Sequence, residues 1–198
     1  VAYYAARALH RLGVEVVSFA RLGQGARALL DCVGFEVRPV WSATTTVFRN
    51  VYPREDTDYR EQYVDAVAES FAVADVHGVC GFDAVLLGPL TAADLPAEVV
   101  EQIRRSNRVV GLDAQGYLRQ VRDGRVQAKG WDESRRVLAM VDVLKCNVEE
   151  AQAIVGPWSP EETAVRLAAL GPSEVLVTDG SRGSWVYARQ QTVRIAAV

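Results

Sequence analysis

Four clusters of small and polar residues carry the chemistry open to this chain: Gly88-Pro89-Leu90-Thr91, Asp113-Ala114-Gln115-Gly116, Lys145-Cys146-Asn147 and Thr178-Asp179-Gly180. Each follows a short apolar run directly. Thr178 and Ser181 offer hydroxyls, while Gly180 and Gly183 allow close backbone approach, a combination suited to phosphate oxygens. The same segment also reads as a plain hairpin turn. Lys145 and Arg119 could supply positive charge to an anionic group; each also reads as a solvated surface cation. Asn147 followed by Glu150 has the spacing of an ordinary helix-capping pair.

The apolar runs, at 84–87, 109–112, 141–144 and 175–177, read as parallel strands buried on both faces. Helical patterns separate them: Leu95, Val99 and Ile103; then Val137, Leu138 and Val141; then Ala164, Leu167 and Ala168. Ser159, Pro160 and Glu162 supply a cap, a first-turn proline and a capping-box acid, and Gly171 closes that helix. This βαβ rhythm predicts an α/β fold with a mostly parallel sheet. In such a sheet ligands bind beyond the carboxyl ends of the strands, so the four clusters are expected to line one crevice. The first third differs. Residues 35–41, 44–50 and 59–67 are half polar and read as a small sheet projecting from the main layer, with a Pro- and Asp-bearing turn at 51–58. Residues 59–68 also fit a helix, through Tyr63, Val67 and Phe71. With no repeat or linker, 1–198 is expected to be one domain, with 35–67 as a β lid.

Asp142-Val143-Leu144-Lys145-Cys146-Asn147-Val148-Glu149-Glu150 resembles the N-x-x-E signature of the PfkB, or ribokinase-like, carbohydrate kinases, and Val177-Thr178-Asp179-Gly180-Ser181-Arg182-Gly183 resembles their V-T-x-G-x-x-G segment. Val110-Gly111-Leu112-Asp113 through Arg119 is similar to the segment where a family strand delivers an acid and then an arginine, and Ala2 through Val16 resembles the family's early helix and strand. The resemblance implies a three-layer α/β/α fold with a β-sheet lid, and transfer of a phosphoryl group from ATP, with Mg²⁺, to a hydroxyl of a sugar, inositol or nucleoside. It implies that Asn147 and Glu150 order the hydrated metal, Glu150 through water, and that Thr178, Gly180, Ser181 and Gly183 border the nucleotide. Lys145 becomes a candidate charge stabiliser. Thr45, Arg49 and Asn50 in the lid, with Asp113 and Gln115, become candidates for holding the acceptor. The family's G-A-G-D segment, whose aspartate serves as base, does not occur in these residues, and both ends look cut.

A non-catalytic sugar or nucleotide sensor on the same scaffold is the alternative if that aspartate is truly lacking. Gly23-Gln24-Gly25-Ala26-Arg27-Ala28 also fits a dinucleotide-binding G-x-G-x-x-A turn, although no acid follows the next strand. His77 and Cys80 have metal-like spacing but read as packing residues. The net charge of -3 offers no basic surface for nucleic acid. Three scattered cysteines suggest neither disulfides nor zinc and fit a reducing cytoplasm. No apolar run approaches the roughly 20 residues of a membrane helix. An unpaired lid edge could pair with a second copy.

Overall fold

A computed structural model describes residues 2–52 and 61–197. Its elements are α1 (Ala2–Arg11), β1 (Val17–Gly23), α2 (Arg27–Leu30), β2 (Glu36–Ser42), β3 (Val47–Val51), β4 (Glu61–Ala66), β5 (Ala84–Leu87), α3 (Ala97–Ser106), β6 (Val109–Asp113), β7 (Arg119–Arg122), β8 (Arg125–Ala128), α4 (Ser134–Leu138), β9 (Val143–Asn147), α5 (Val148–Val155), α6 (Pro160–Ala168), β10 (Glu174–Thr178), β11 (Ser184–Ala188) and β12 (Gln191–Ile195). They build a six-stranded sheet in the order β12-β11-β10-β9-β6-β5, a four-stranded sheet in the order β3-β4-β8-β7, and a parallel pair, β1-β2.

β5, β6, β9 and β10 are parallel, and each steps to the next in one direction across the sheet. Right-handed crossovers therefore set α3, α4, α5 and α6 on one face. Burial agrees with that placement. Leu87, Leu112, Leu144 and Val175, aligned across the four strands, are at most 4% exposed, whereas Leu86, pointing the other way, is 47% exposed. The runs expected to be buried on both faces are thus fully buried on one, among the described residues, because their helices share a side. Leu138 and Leu167 from the helices complete that core with no exposed surface; truncating any such leucine to alanine costs about 2–5 kcal/mol.

β9 begins two residues later than the apolar run 141–144 implied, because Asp142 is used as a tie. Its carboxylate accepts from the Val110 N–H at 2.8 Å and from Arg104 at 2.5 Å, and its carbonyl accepts from the Glu174 N–H at 3.0 Å. β9 also runs on through Lys145, Cys146 and Asn147, which are strand and not turn. α4 stops at Leu138, so Val141 falls outside it. α6 has the expected Ser159 capping box and Pro160 start.

The small sheet is assembled differently from the expected span 35–67. β2 pairs in parallel with β1, as the second strand of a β1-α2-β2 unit, and only β3 and β4 of that span enter the four-stranded sheet. β7 and β8 complete it. They are joined at Asp123 and Gly124, whose φ values of 51° and 70° suit a tight hairpin. Residues 61–66 are strand, resolving that ambiguity, while the turn expected at 51–58 lies outside the described residues from 53 onward. Across β3 and β4, Arg49 pairs with Asp65 at 3.1 Å and Asn50 accepts from Gln62 at 2.8 Å. The guanidinium groups of Arg49 and Arg125 lie 4.8 and 5.0 Å from the Tyr63 ring centre. Among the described residues no helix is long and apolar enough to cross a membrane.

Candidate functional site

Strand register brings the polar clusters together. Asp113 stands opposite Lys145, and Asn147 stands opposite Thr178. Partners across a parallel pair share a face, as do residues two apart on one strand. All four therefore lie on the sheet face that α3 to α6 leave uncovered, at its carboxyl end. The expectation of one crevice took the rim into account; the shared open face emerges only from the register.

The cluster after β6 is held tightly. The Asp113 carboxylate, in a residue 7% exposed, accepts from the Lys145 ammonium at 3.0 Å and, through Oδ1, from the Gln115 N–H at 3.1 Å, capping the turn Ala114–Leu118. Gly116 packs against the neighbouring cluster so closely that a Cβ there would lie 2.2 Å from the Pro89 carbonyl oxygen. Tyr117 stacks on Trp131 with 4.3 Å between ring centres and donates to the Leu95 carbonyl at 2.6 Å, and burial pushes its phenol well above the usual value. In the cluster after β5, the Asp94 carboxylate accepts from the Leu90 N–H at 2.7 Å and from the Thr91 hydroxyl at 2.5 Å.

At the start of α5 the capping reading holds. Asn147 Oδ1 accepts from the Glu150 N–H at 2.7 Å, and Glu150 Oε2 accepts from the Asn147 N–H at 2.8 Å. One carboxylate oxygen of Glu150, Oε1, makes no hydrogen bond among the described residues. No group of three or more metal-ligating side chains occurs among those residues. A single free carboxylate oxygen fits Mg²⁺ held through its waters and a donor's phosphates, not a cage of protein ligands. Between Lys145 and Asn147, Cys146 points into the core, and burial pushes its thiol up to about 12.

After β10, the Thr178 hydroxyl donates to the Cys146 carbonyl at 3.3 Å. Gly180 has φ 54° with open space around its missing Cβ, and Gly180 and Ser181 are exposed. Gly183 serves the fold: its φ is 96°, and a Cβ would lie 2.1 Å from the Ile195 carbonyl oxygen. Asp179 and Arg182 form a bidentate pair at 2.6 and 2.8 Å, and that bond holds the Asp179 carboxyl below its ordinary value.

Other residues singled out in the sequence sit apart from this face. The Thr45 hydroxyl accepts from the Gly23 N–H at 2.8 Å, fastening the approach to β3 onto the end of β1, and Arg49 and Asn50 are exposed in cross-strand pairs of the small sheet. Gly23 and Gly25 lead only into a single-turn helix, too short to build the terminal dipole a dinucleotide needs. His77 and Cys80 are exposed; the packing residues there are Val76 and Val79. A cavity of about 550 Å³ lined by Arg21, Trp41, Ser42, Glu69 and Asp75 opens beside the connectors to the small sheet. Arg21 pairs with Asp75 inside it, and a Ser42 hydrogen bond lowers the Glu69 carboxyl. Asp94, outside the sequence reading, and Gly116, named there only as a member of its cluster, are the residues that hold the clusters together.

This is the ribokinase-like α/β fold. The chain superposes on a sulfate complex of a pyrophosphate-dependent kinase in the ribokinase family with TM-score 0.87 and 23% identity, covering 96% of this chain and 68% of that one. A pyrophosphate-dependent kinase of the ribokinase family with a pyrophosphate analog and myo-inositol gives 0.85 and 22%, covering 96% and 67%. Ribokinase from Arabidopsis thaliana, with ribose and ATP, gives 0.70 and 20%, covering 99% of this chain and 65% of that one. No curated protein matches the sequence. Residues 48–198 match the pfkB family of carbohydrate kinases, and the chain belongs to that family.

Proposed function

We propose that this chain is the donor-binding body of a kinase that transfers the γ-phosphoryl group of ATP, with Mg²⁺, to a hydroxyl of a small polyol, either a sugar, an inositol or a nucleoside. The observation that carries the reading is the register pairing Asp113 with Lys145 and Asn147 with Thr178, which gathers a cation, an amide and a hydroxyl on one open face. In this reading the phosphates lie over that face. Lys145 compensates their charge, and the exposed amides and hydroxyl at Gly180 and Ser181 border them. Asn147 and Glu150 order the waters of magnesium, which supplies charge neutralisation when bound. The four-stranded sheet is the lid over the acceptor, with Thr45, Arg49, Asn50 and Gln115 near it, and its open edges are where a second copy would add. We assign the general base to no residue of this sequence.

A second donor, pyrophosphate, is favoured by the higher TM-scores of the two pyrophosphate-dependent kinases, 0.87 and 0.85 against 0.70 for the ATP-bound ribokinase. The experiment is calorimetric titration of the intact protein with Mg·ATP and with Mg·pyrophosphate, followed by phosphoryl transfer to a panel of sugars, inositols and nucleosides. Donor binding with turnover is the expected result. Binding without turnover favours a sensor on the kinase scaffold, and the absence of binding by either donor rejects the reading.

A further inference from the structure

We infer that Asp113 is a positioning residue: it holds the Lys145 ammonium over the open face of the sheet, where that ammonium contacts the donor's phosphate oxygens, and does not itself bind the acceptor. The inference deepens the proposed function and rests on it. Asp113 is the less accessible partner, with a side chain 10% exposed against 36% for Lys145, so the carboxylate lies beneath and the ammonium toward solvent. Both carboxylate oxygens are occupied, Oδ2 by the Lys145 ammonium at 3.0 Å and Oδ1 by the Gln115 N–H at 3.1 Å. Each oxygen keeps a further lone pair, but a carboxylate only 10% exposed, lying beneath the ammonium, presents little of it to an acceptor hydroxyl. Lys145 is differently placed. An ammonium has three donors, and Asp113 is the one hydrogen-bond partner found for it among the described residues, leaving two N–H groups for an anion.

Position supports the same division of labour. Lys145 is two residues before Asn147 on β9, so the two share a face, and Asn147 stands beside Thr178 on β10. An anion over Asn147 and Thr178 is therefore near the ammonium. Four flexible carbons would let an untethered lysine wander, and the buried carboxylate removes that freedom. The turn carrying Asp113 is in turn fixed by Gly116 against Pro89 and by Tyr117 against Trp131.

The test is a double-mutant cycle on donor affinity in the intact protein, with Mg·ATP and Mg·pyrophosphate as probes and thermal unfolding recorded alongside. Lys145→Met is expected to weaken binding at least about 10-fold, the loss of a charge-assisted hydrogen bond, and Lys145→Arg to restore most of it. Asp113→Asn is expected to weaken binding in the wild-type background and to have no further effect on affinity in the Lys145→Met background. A purely structural aspartate would instead lower the unfolding temperature and leave affinity alone, or act equally in both backgrounds; either outcome overturns the inference while the kinase reading stands. If the wild type binds neither probe, the kinase reading fails and this inference with it. Should Asp113→Asn not fold, the wild-type Lys145 ammonium decides: its ¹H–¹⁵N signal is expected to shift on addition of Mg·pyrophosphate, and an unmoved signal overturns the assignment.

Discussion

Replacing Gly116 with alanine tests how tightly the clusters behind the open face are fitted. The added Cβ would lie 2.2 Å from the Pro89 carbonyl oxygen and 2.4 Å from its carbon. Real Cβ atoms keep at least about 3.0 Å, so one loop must retreat by nearly 1 Å, and the obstacle is backbone with no rotamer to escape into. Overpacking of this kind costs about 1–3 kcal/mol. The alanine recovers about 0.4–1 kcal/mol by restricting the unfolded chain. A net loss of about 1.3 kcal/mol corresponds to a fall in Tm of about 3–5 °C for a chain of this size. Gly25→Ala is the control, since nothing lies within 4 Å of its missing Cβ, and it should hold or slightly raise Tm. Differential scanning calorimetry compares the two directly. If Gly116→Ala melts with the wild type, the close approach of the two loops is not real. Because the same loop carries Asp113, donor affinity should fall with stability.

Asn147→Ala should lose about 1 kcal/mol in guanidinium unfolding through the lost cap, while Asn147→Asp and Asn147→Ser, equivalent caps, stay near wild type; donor affinity should drop in all three, and affinity that merely follows stability would leave Asn147 as a cap alone. Cys32 and Cys80 are exposed and Cys146 is buried with its thiol raised to about 12, so Ellman's reagent at pH 8 should count two thiols in the native protein and three after denaturation. The Asp179 carboxyl is held low by Arg182, so its folded value lies below the unfolded one: the pair's stabilisation is present above the ordinary carboxylate value and is lost as pH falls through the folded value. A carbon NMR titration should show that depressed midpoint, and Arg182→Gln should return it to the ordinary range.

The features legible in the sequence were local. Apolar runs announced β5, β6 and β10 because burial selects for them, and Ser159, Pro160 and Glu162 announced α6 because a cap is written in consecutive residues. Asn147 and Glu150 belong to the same class. The β7–β8 hairpin carries its own local signal, an Asp-Gly turn between alternating residues. The β11–β12 turn carried none, since Arg189 and Gln190 adopt positive φ without being residues that favour it. What stayed hidden was pairing at a distance. Asp113 and Lys145 are 32 residues apart, and only strand register sets one opposite the other. The pairing of β2 with β1, and of β4 with β8, likewise depends on which edges are free when the strands meet.

Backbone amide shifts on titrating the ¹⁵N-labelled protein with Mg·ATP or Mg·pyrophosphate test the central claim most directly. A donor lying over the open carboxyl end of the sheet should move Gln115 and Gly116, Asn147 and Glu150, and Gly180 to Gly183 together, with one dissociation constant. Shifts confined to Gly23, Gly25 and their neighbours, or three groups moving with different constants, would contradict it.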